Sequence, residues 1–382
     1  NVGTGLSLVL PTTPLVNTDL RVEVSKEFEI GSDITFTGFK GAWLSNISLT
    51  GTYWTRKGED VIYNIAAAPS TGVVTNKSNA INLSSNGIQA SLNLGVFKNK
   101  NFSYDITTNF SKESSKIDKI AGGVDIILTS SAGSTSIVLT EGQKIGQLYG
   151  FLAFASIDQT RKNGTPYIAK VDQGKYQVIT DYRGRNVVVD TATKNIQFTN
   201  ETYALGTGLP KFNMSFINSF TFKDIVTLGF QVDWVYGNKL YNQTKEWMYR
   251  DGIHGDWDQP VTINGTTAAY TAFYRSAYSA IWGQPNGAGR NGTKDYFLED
   301  ASFVRLRNIN LGVDIAKFAN LKFTKKLQVV FSGRNLFTRT KYTGFDPEIS
   351  SGSGTYSSFD RGLDHNSMPN TKSYQVGLNV GF

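Results

Sequence analysis

The amino-acid sequence predicts an all-β protein, an antiparallel transmembrane β-barrel. Three observations predict this fold class: apolar and polar residues alternate along long segments, the connections between segments are either very short or very long, and the composition is unusual. Of the 382 residues, 13% are aromatic and 38 are Gly, whereas 18% are charged, below the roughly 25% of soluble domains. Lipid-facing strands, interface aromatics and tight turns require such a composition.

Charge and cysteine content exclude several functions. The net charge of +7 comes from 38 Lys+Arg against 31 Asp+Glu, and no basic run is longer than the pair Lys325 and Lys326. Nucleic-acid binding requires a basic patch or stripe, so no nucleic-acid partner is expected. The chain has no Cys, which excludes disulfides, Cys-based zinc sites and thiol catalysis. No apolar run reaches the roughly 18 residues of a membrane helix, and residues 1–5 show no secretory signal, so any signal was removed or lay upstream.

Alternation with period two marks nine strands, because successive side chains of a strand point to opposite faces. The segment 226–236 is the clearest, since every second residue from Val226 to Tyr236 is apolar. The predicted strands are 26–37, 42–55, 86–97, 101–109, 211–221, 224–236, 301–315, 326–337 and 372–382. Their length of about ten residues fits a strand that crosses a bilayer better than the five or six residues of a sandwich strand. A secreted sandwich or propeller would alternate as well, so the period alone does not dismiss it.

The connections predict a direction for each strand. Short turns on one side and long loops on the other are typical of outer-membrane barrels, whose turns face the periplasm. If the last strand runs toward the periplasm, counting back strand by strand shows that the first strand also runs toward the periplasm. The ambiguous stretch 111–210 can add strands only in pairs, so the total number of strands is odd. Bacterial single-chain barrels have an even number of strands. We therefore expect residues 1–382 to be the C-terminal part of one larger barrel domain, with long extracellular loops near 56–85, 113–210, 237–296 and 338–371.

Motifs in the last ninety or so residues resemble one family. The segments are DYFLEDASFVRLRNINLG at 295–312, FSGRNLFT at 331–338 and KYTGFDPE at 341–348, with a chain end at Phe382. Upstream, SKEFEIG at 25–31 and YGNKLYN at 236–242 are similar to mid-barrel motifs of the same family. Together they resemble the C-terminal part of the barrel of SusC/RagA-type TonB-dependent outer-membrane transporters, and the resemblance covers most of the chain.

The resemblance implies a multi-pass protein of the bacterial outer membrane, with a barrel of about 22 strands and an N-terminal plug that this sequence lacks. It implies import of a large nutrient, an oligosaccharide or a peptide, as in Bacteroidetes-type glycan uptake. The implied partners are a SusD-like lipoprotein, TonB through a missing N-terminal segment, outer-membrane lipid and a second transporter–lipoprotein pair in a dimer. A different function stays open: a non-transporting barrel that anchors or docks a surface or secretion assembly.

Candidate contact residues lie in the long loops. Aromatic side chains with neighbouring polar groups suit stacking on sugars or packing on a lid, and those of the 237–296 loop are Trp247, Tyr249, Trp257, Tyr270, Tyr274 and Trp282. The same rings would also serve to pack on one another and hold the loop rigid. At the other end of the chain, alternating Tyr374, Val376, Leu378, Val380 and Phe382 resemble the signal read by the outer-membrane barrel-assembly machinery.

No catalytic, cofactor or metal site is predicted. His254 and His365 are the only histidines and neither lies in a ligand-spaced cluster. No nucleophile elbow or phosphate-binding loop occurs, so we expect the protein not to be an enzyme. Where the family often carries a calcium-like turn, residues 180–186 contain Arg183 and Arg185, and guanidinium groups do not ligate calcium. The segment Asp346-Pro347-Glu348 is predicted to be a structural loop element.

Overall fold

A computed structural model of the chain describes residues 19–38, 41–66, 75–129, 136–278, 294–349 and 361–381. Its main feature is a sheet of nine antiparallel strands, and smaller sheets and short helices lie in the connections. No helix in these ranges has the length and apolar character needed to cross a membrane.

The first four strands pair in sequence order. They are β1 (Val24–Thr37), β2 (Trp43–Ala66), β3 (Thr75–Lys98) and β4 (Phe102–Ile120). β2 and β3 have 24 residues each, far more than a bilayer requires. The structure therefore differs from the loop expected near 56–85: residues 56–66 and 75–85 continue these two strands, and 113–120 continues β4. Bulges after Gly58 and Val61 interrupt the alternation while the hydrogen-bonded pairing goes on, which explains why the sequence pattern ended too early.

The stretch after β4 adds no strand to the main sheet within the described residues. Its strands are β5 (Ile126–Thr129), β6 (Ser136–Leu139), β7 (Gln147–Gly150), β8 (Tyr176–Thr180), β9 (Asn186–Asp190) and β10 (Tyr203–Thr207), with 3-10 turns at Ala121–Gly123 and Lys170–Lys175. Four of these strands form a separate sheet in the order β10-β7-β6-β5, and β8 and β9 form a hairpin. β4 pairs directly with β11 (Phe212–Phe222), which pairs with β12 (Val226–Tyr236).

The rest of the chain supplies three more strands of the main sheet. The strands are β13 (Lys239–Asn242), β14 (Val261–Ile263), β15 (Thr266–Ala268), β16 (Leu298–Asp300), β17 (Phe303–Asp314), β18 (Lys326–Thr340), β19 (Leu363–Asp364) and β20 (Ser373–Gly381). The helices are α1 (Gln243–Arg250), α2 (Thr271–Tyr278), α3 (Lys294–Phe297) and α4 (Ile315–Phe318), with a 3-10 turn at Gly255–Asp258. β13 lies between β16 and β19, so it joins two long connections to each other.

The nine strands of the main sheet are the nine predicted from alternation. Their order is β1-β2-β3-β4-β11-β12-β17-β18-β20, and every neighbouring pair is antiparallel. At one edge of the strands the connections are short, as at 99–101 and 223–225. At the opposite edge they are long, running from 121 to 211, from 237 to 302 and from 341 to 372. The predicted asymmetry of the connections is thus present in the structure.

One face of the sheet is apolar and exposed from edge to edge. The register aligns Leu49 with Leu92, and Leu228 with Leu311, so the apolar sets of neighbouring strands lie side by side. On this face Phe28 is 59% exposed, Ile88 47% and Val376 76%. A soluble sandwich or propeller would bury this face, whereas a transmembrane barrel presents it to lipid. The exposure therefore favours the membrane fold.

Aromatic rings form a band at each end of the apolar face. Near the short turns, the rings of Trp43 and Phe97 contact edge to face at 4.7 Å. Near the long connections, those of Phe212 and Trp234 do so at 4.9 Å. Ten residues separate Phe212 from Phe222, about 33 Å along the strand, which a tilt of about 40° reduces to about 25 Å. This matches the apolar height of an outer-membrane barrel.

The buried core lies outside this apolar band. It is formed by the described residues of 121–210, 237–300 and 341–370, which we call the cap, together with the extended ends of β3 and β4. Ile81 and Ile117 from those strands pack with Leu139, Val187 and Phe273 of the cap, all with at most 1% exposure. The described parts of the long connections therefore pack against one another and against the ends of these strands.

Candidate functional site

The polar face of the sheet carries side-chain hydrogen bonds that run across the strands. Ser91 donates to Asn109 at 2.8 Å between β3 and β4, and Ser215 donates to Asp233 at 2.8 Å between β11 and β12. Similar bonds join Asn93 to Thr107 and Ser332 to Asn310. Such cross-strand pairs arise because alternate residues of neighbouring strands share a face. The result is a wall of hydroxyl and amide groups opposite the lipid-facing side.

A cleft of about 680 Å³ lies against this wall. Its polar lining is Thr50, Thr52, Gln89, Ser91, Asn109, Ser111, Asn213, Ser215, Gln231 and Asp233. The single charged member among the described lining residues, Asp233, is paired with Arg307 at 2.7 Å. The cleft therefore offers many neutral donors and acceptors and little unpaired charge, which suits hydrogen bonding to a polar, uncharged surface.

Two arginines of β17 hold a cap segment against the polar wall. Arg305, 2% exposed, donates to Asp346 at 2.5 Å and to Glu348 at 2.6 Å, and Arg307 binds Glu348 at 2.9 Å. Burial favours a raised pKa for Asp346, but hydrogen bonds from Arg305 and from the backbone N–H groups of Glu348 and Asn370 outweigh it, so the pKa lies below its usual value. Asp346-Pro347-Glu348 is accordingly a structural tether, as predicted.

The aromatic residues predicted to contact cargo or a lid differ in how much of each ring is exposed. Tyr249 and Tyr274 are 0% exposed in the core of the cap, with ring centroids 5.9 Å apart. This corrects the prediction for both: rings without exposed surface cannot meet a ligand, and they hold the cap together instead. Trp257 and Tyr270 are half-buried, Trp257 stacking on Tyr274. Trp247 is half-buried against His365, and Trp282 lies outside the described residues.

A buried polar cluster on one face of α1 was not predicted from the sequence. Lys245, 2% exposed, places Nζ 2.8 Å from Asp256 Oδ2, and Tyr249 donates to the same carboxylate at 2.5 Å. Burial alone would raise the pKa of Asp256, but Lys245 and the hydroxyls of Tyr182 and Tyr249 outweigh it and lower the pKa to about 2. Beside them, burial lowers the pKa of His254, whose Nδ1 accepts the backbone N–H of Asp256 at 3.1 Å. Helical spacing brings Lys245 and Tyr249 to one face, but their burial has no sequence signal.

The turn between β8 and β9 is closed by its own carboxylate. Asp181 accepts the backbone N–H groups of Arg183 and Arg185 at 2.9 Å each. The Arg183 guanidinium lies 4.0 Å from the ring centre of Tyr296, and Arg185 binds Asp295. Each guanidinium group at the turn therefore lies beside a carboxylate, Arg183 near Asp181 and Arg185 against Asp295. In the part of the chain that the structure describes, no cluster of acidic and histidine side chains could hold a metal ion.

The last strand exposes its apolar set. In β20, Tyr374 is 64% exposed, Val376 76%, Leu378 61% and Val380 48%, all on the lipid-facing side. Phe382 lies outside the described residues. This position fits a signal for assembly at the membrane. Recognition of these residues by the barrel-assembly machinery stays a prediction.

Comparisons with known proteins agree with this architecture. No family model matches the chain. It is 26% identical over 380 residues to TonB-dependent receptor P3 of Formosa agariphila, covering 97% of this chain and 35% of that protein. It is 24% identical over 384 residues to TonB-dependent receptor SusC of Bacteroides thetaiotaomicron, covering 96% and 32%. The chain thus spans about a third of the length of these relatives.

Solved structures give the same fold. A structure of the RagAB peptide transporter superposes with a TM-score of 0.62 at 18% identity, covering 96% of this chain and 36% of that one. RagAB in a closed-closed state gives 0.60 at 20% identity, covering 94% and 35%. The chain is therefore related along nearly its whole length to the SusC/RagA-type TonB-dependent outer-membrane receptors, and its nine long strands form part of such a transmembrane barrel in the bacterial outer membrane.

Proposed function

We propose that the protein of which this chain is a part imports a large polar nutrient, an oligosaccharide or a peptide, across the outer membrane with energy from TonB. The observation that carries the proposal is the polar wall behind the lipid-facing sheet. Its hydroxyl and amide groups provide a hydrogen-bonding surface, and Asp233, the one charged residue in the described lining of the cleft, is neutralised by Arg307. The relatives named as TonB-dependent receptors and the peptide transporter RagAB support it.

The orientation of the chain follows from its connections. Outer-membrane barrels have short periplasmic turns and long extracellular loops. The edge with turns at 99–101 and 223–225 therefore faces the periplasm, and the cap faces the exterior. In this orientation the nine strands are the C-terminal part of a barrel of about 22 strands, closed by strands supplied by the rest of the protein.

The cap is the part of the chain placed to meet cargo and a SusD-like lipoprotein. Its core is fixed by Tyr249 and Tyr274, so a partner would contact the rings that keep exposed surface. Of the predicted set, Trp247, Trp257 and Tyr270 retain such surface, and a flat ring beside polar groups suits a sugar face or an apolar partner side chain. We assign no catalytic step to the chain.

Deletion of the gene and measurement of uptake test the proposal. Cells lacking it should lose growth on, and uptake of, one class of oligosaccharide or peptide, and the full-length wild-type gene should restore both. Trp247→Ala should lower uptake, while Trp43→Ala, in the aromatic band of the apolar face near the short turns, serves as a matched control for loss of an indole. Unchanged uptake of all candidate oligomers on deletion would contradict import. Purification from native membranes then separates the alternatives, since a SusD-like lipoprotein supports import and a large surface or secretion assembly supports a docking platform.

A further inference from the structure

The turn edge of the sheet carries a dense set of lysines. Residues 98–101, 223–225 and 314–326, which we call the turn rim, contain seven Lys and two acids. The lysines are Lys98, Lys100, Lys223, Lys317, Lys322, Lys325 and Lys326, and all are exposed. Of the two acids, Asp314 is buried and caps α4, which leaves Asp224 as the exposed one. Most of the chain's net charge of +7 therefore lies in these few residues.

The lysines of the turn rim have no ion-pair partner among the described residues. The contacts recorded for two of them are to neutral groups: Lys317 Nζ donates to the backbone oxygen of Asp224 at 3.2 Å, and Lys223 Nζ lies 5.4 Å from the ring centre of Phe222. The opposite end of the same sheet is different. There Lys26 pairs with Glu59 at 2.7 Å, and Arg56 pairs with Glu27 at 2.6 Å. Basic side chains at the long-loop end thus include several with acidic partners, whereas those of the turn rim have none among the described residues.

The largest turn of the rim is held in a fixed shape. Asp314 accepts the backbone N–H of Lys317 at 3.3 Å and so caps α4. Thr324, 8% exposed, donates to the backbone oxygen of Gly381 at 2.7 Å, and the N–H of Lys325 donates to the same oxygen at 2.9 Å. The turn is thus tied to the last strand, and its lysines are displayed from an ordered backbone.

Two exposed phenylalanines lie among these lysines. Phe318 is 74% exposed and Phe323 75%, and both belong to the turn that joins β17 to β18. Phe222, 47% exposed, belongs to the aromatic band of the apolar face and adjoins Lys223. Aromatic rings beside lysines are typical of the interface between hydrocarbon and headgroups, where the ring lies in the apolar layer and the amine reaches the headgroup phosphate.

We propose that the turn rim is a binding surface for anionic phospholipid headgroups of the leaflet that faces the short turns. The lysines contact the phosphate groups, and Phe318 and Phe323 insert between the acyl chains. Charge complementarity carries the assignment, since an unpaired basic rim directly below an apolar band meets headgroups and attracts anionic ones over neutral ones. The inference requires that the strands cross the bilayer, but it does not depend on cargo or on import.

Native mass spectrometry of the full-length protein in detergent, titrated with phosphatidylglycerol or phosphatidylcholine, tests the proposal. The wild-type protein should bind phosphatidylglycerol at least about tenfold more tightly. The variant Lys317→Gln/Lys322→Gln/Lys325→Gln/Lys326→Gln should lose that preference. A matched control, Lys57→Gln/Lys77→Gln/Lys112→Gln/Lys119→Gln, removes the same charge from exposed lysines at the long-loop end and should keep it.

Three outcomes would overturn the proposal. The first is equal binding of both lipids by the wild-type protein. The second is an equal loss of the preference for phosphatidylglycerol in the rim variant and its control, and the third is a loss of that preference in the control alone. A second variant, Phe318→Ser/Phe323→Ser, should weaken both lipids to a similar extent, because insertion of the rings does not depend on headgroup charge; unchanged binding would remove the rings from the site. A failure of uptake in the deletion experiment leaves these measurements unaffected, so the two proposals fail separately.

Discussion

The buried pair of Lys245 and Asp256 should control the stability of the cap. Lys245 is 2% exposed, and its Nζ also lies 3.3 Å from Thr343 Oγ1 and 3.7 Å from Glu299 Oε1. Lys245→Met keeps the bulk of the side chain but leaves Asp256, 16% exposed, without its cation. Removing one partner of a buried ion pair costs roughly 3–5 kcal/mol. Because the Tyr249 hydroxyl still donates to Asp256, we expect the lower end, about 3 kcal/mol.

Hydrogen exchange of the full-length protein measures this cost as local opening. A loss of about 3 kcal/mol corresponds to exchange about a hundredfold faster in peptides from residues 243–258. The control Lys170→Met makes the same chemical change at an exposed lysine of the cap and should alter exchange little. Adding Asp256→Asn to Lys245→Met should restore much of the protection, since the uncompensated charge is removed. Unchanged exchange in Lys245→Met, or equal effects of both lysine variants, would show that the buried pair does not stabilise the cap.

Three further predictions concern the tether, pH and the lipid face. Arg305→Lys should speed exchange in residues 341–349, because an amine cannot make both guanidinium bonds to Asp346 and Glu348; exchange equal to wild type would argue against the tether. Since the folded-state pKa of Asp256, about 2, lies below its ordinary value of 3.8, its stabilisation of about 2 kcal/mol is complete above about pH 5 and is lost as the pH falls toward 2. Cap exchange in wild type and Asp256→Asn should therefore differ at pH 6 and converge near pH 2; a constant difference would contradict this. Phe230→Arg on the lipid face should lower the folding free energy in lipid by about 2–4 kcal/mol, measured by denaturant titration, whereas Gln231→Arg on the polar face should cost less; equal costs would reject the assignment of faces.

The strands were predictable where lipid enforces the alternation. In 226–236 every second side chain must be apolar, and the predicted strand differs from β12 by two residues at its start. Above the bilayer that requirement ends. There β2 continues through bulges at Gly58 and Val61 and stays paired with β3 through backbone hydrogen bonds. Bulges interrupt the alternation of side chains, so the sequence shows no period of two in this part of the strands.

The cap was predictable in composition but not in arrangement. A tyrosine-rich loop is compatible with exposed and with buried rings, and the sequence does not say which rings meet. The sequence of α2 does show a helical pattern: Phe273, Tyr274 and Ala277 share one face of the helix, and all three are buried. For α1 the pattern misleads, because Lys245 and Glu246 are buried charges. Glu246 accepts hydrogen bonds from Tyr241 and Gln243 nearby, whereas Lys245 is paired with Asp256 and Glu299, which only the folded chain brings to it.

If the sheet presents one face to lipid and the other to a polar passage, labels placed along β12 should respond in alternation. Leu228→Cys and Phe230→Cys lie on the first face, and Thr227→Cys and Gln231→Cys on the second. Each variant, made in the full-length protein without other cysteines and reconstituted in vesicles, would carry a bimane label exposed to nitroxide-bearing lipid. We expect strong quenching at 228 and 230 and little at 227 and 231. Quenching without alternation, or strongest at 227 and 231, would show that the faces of the sheet are not arranged in this way.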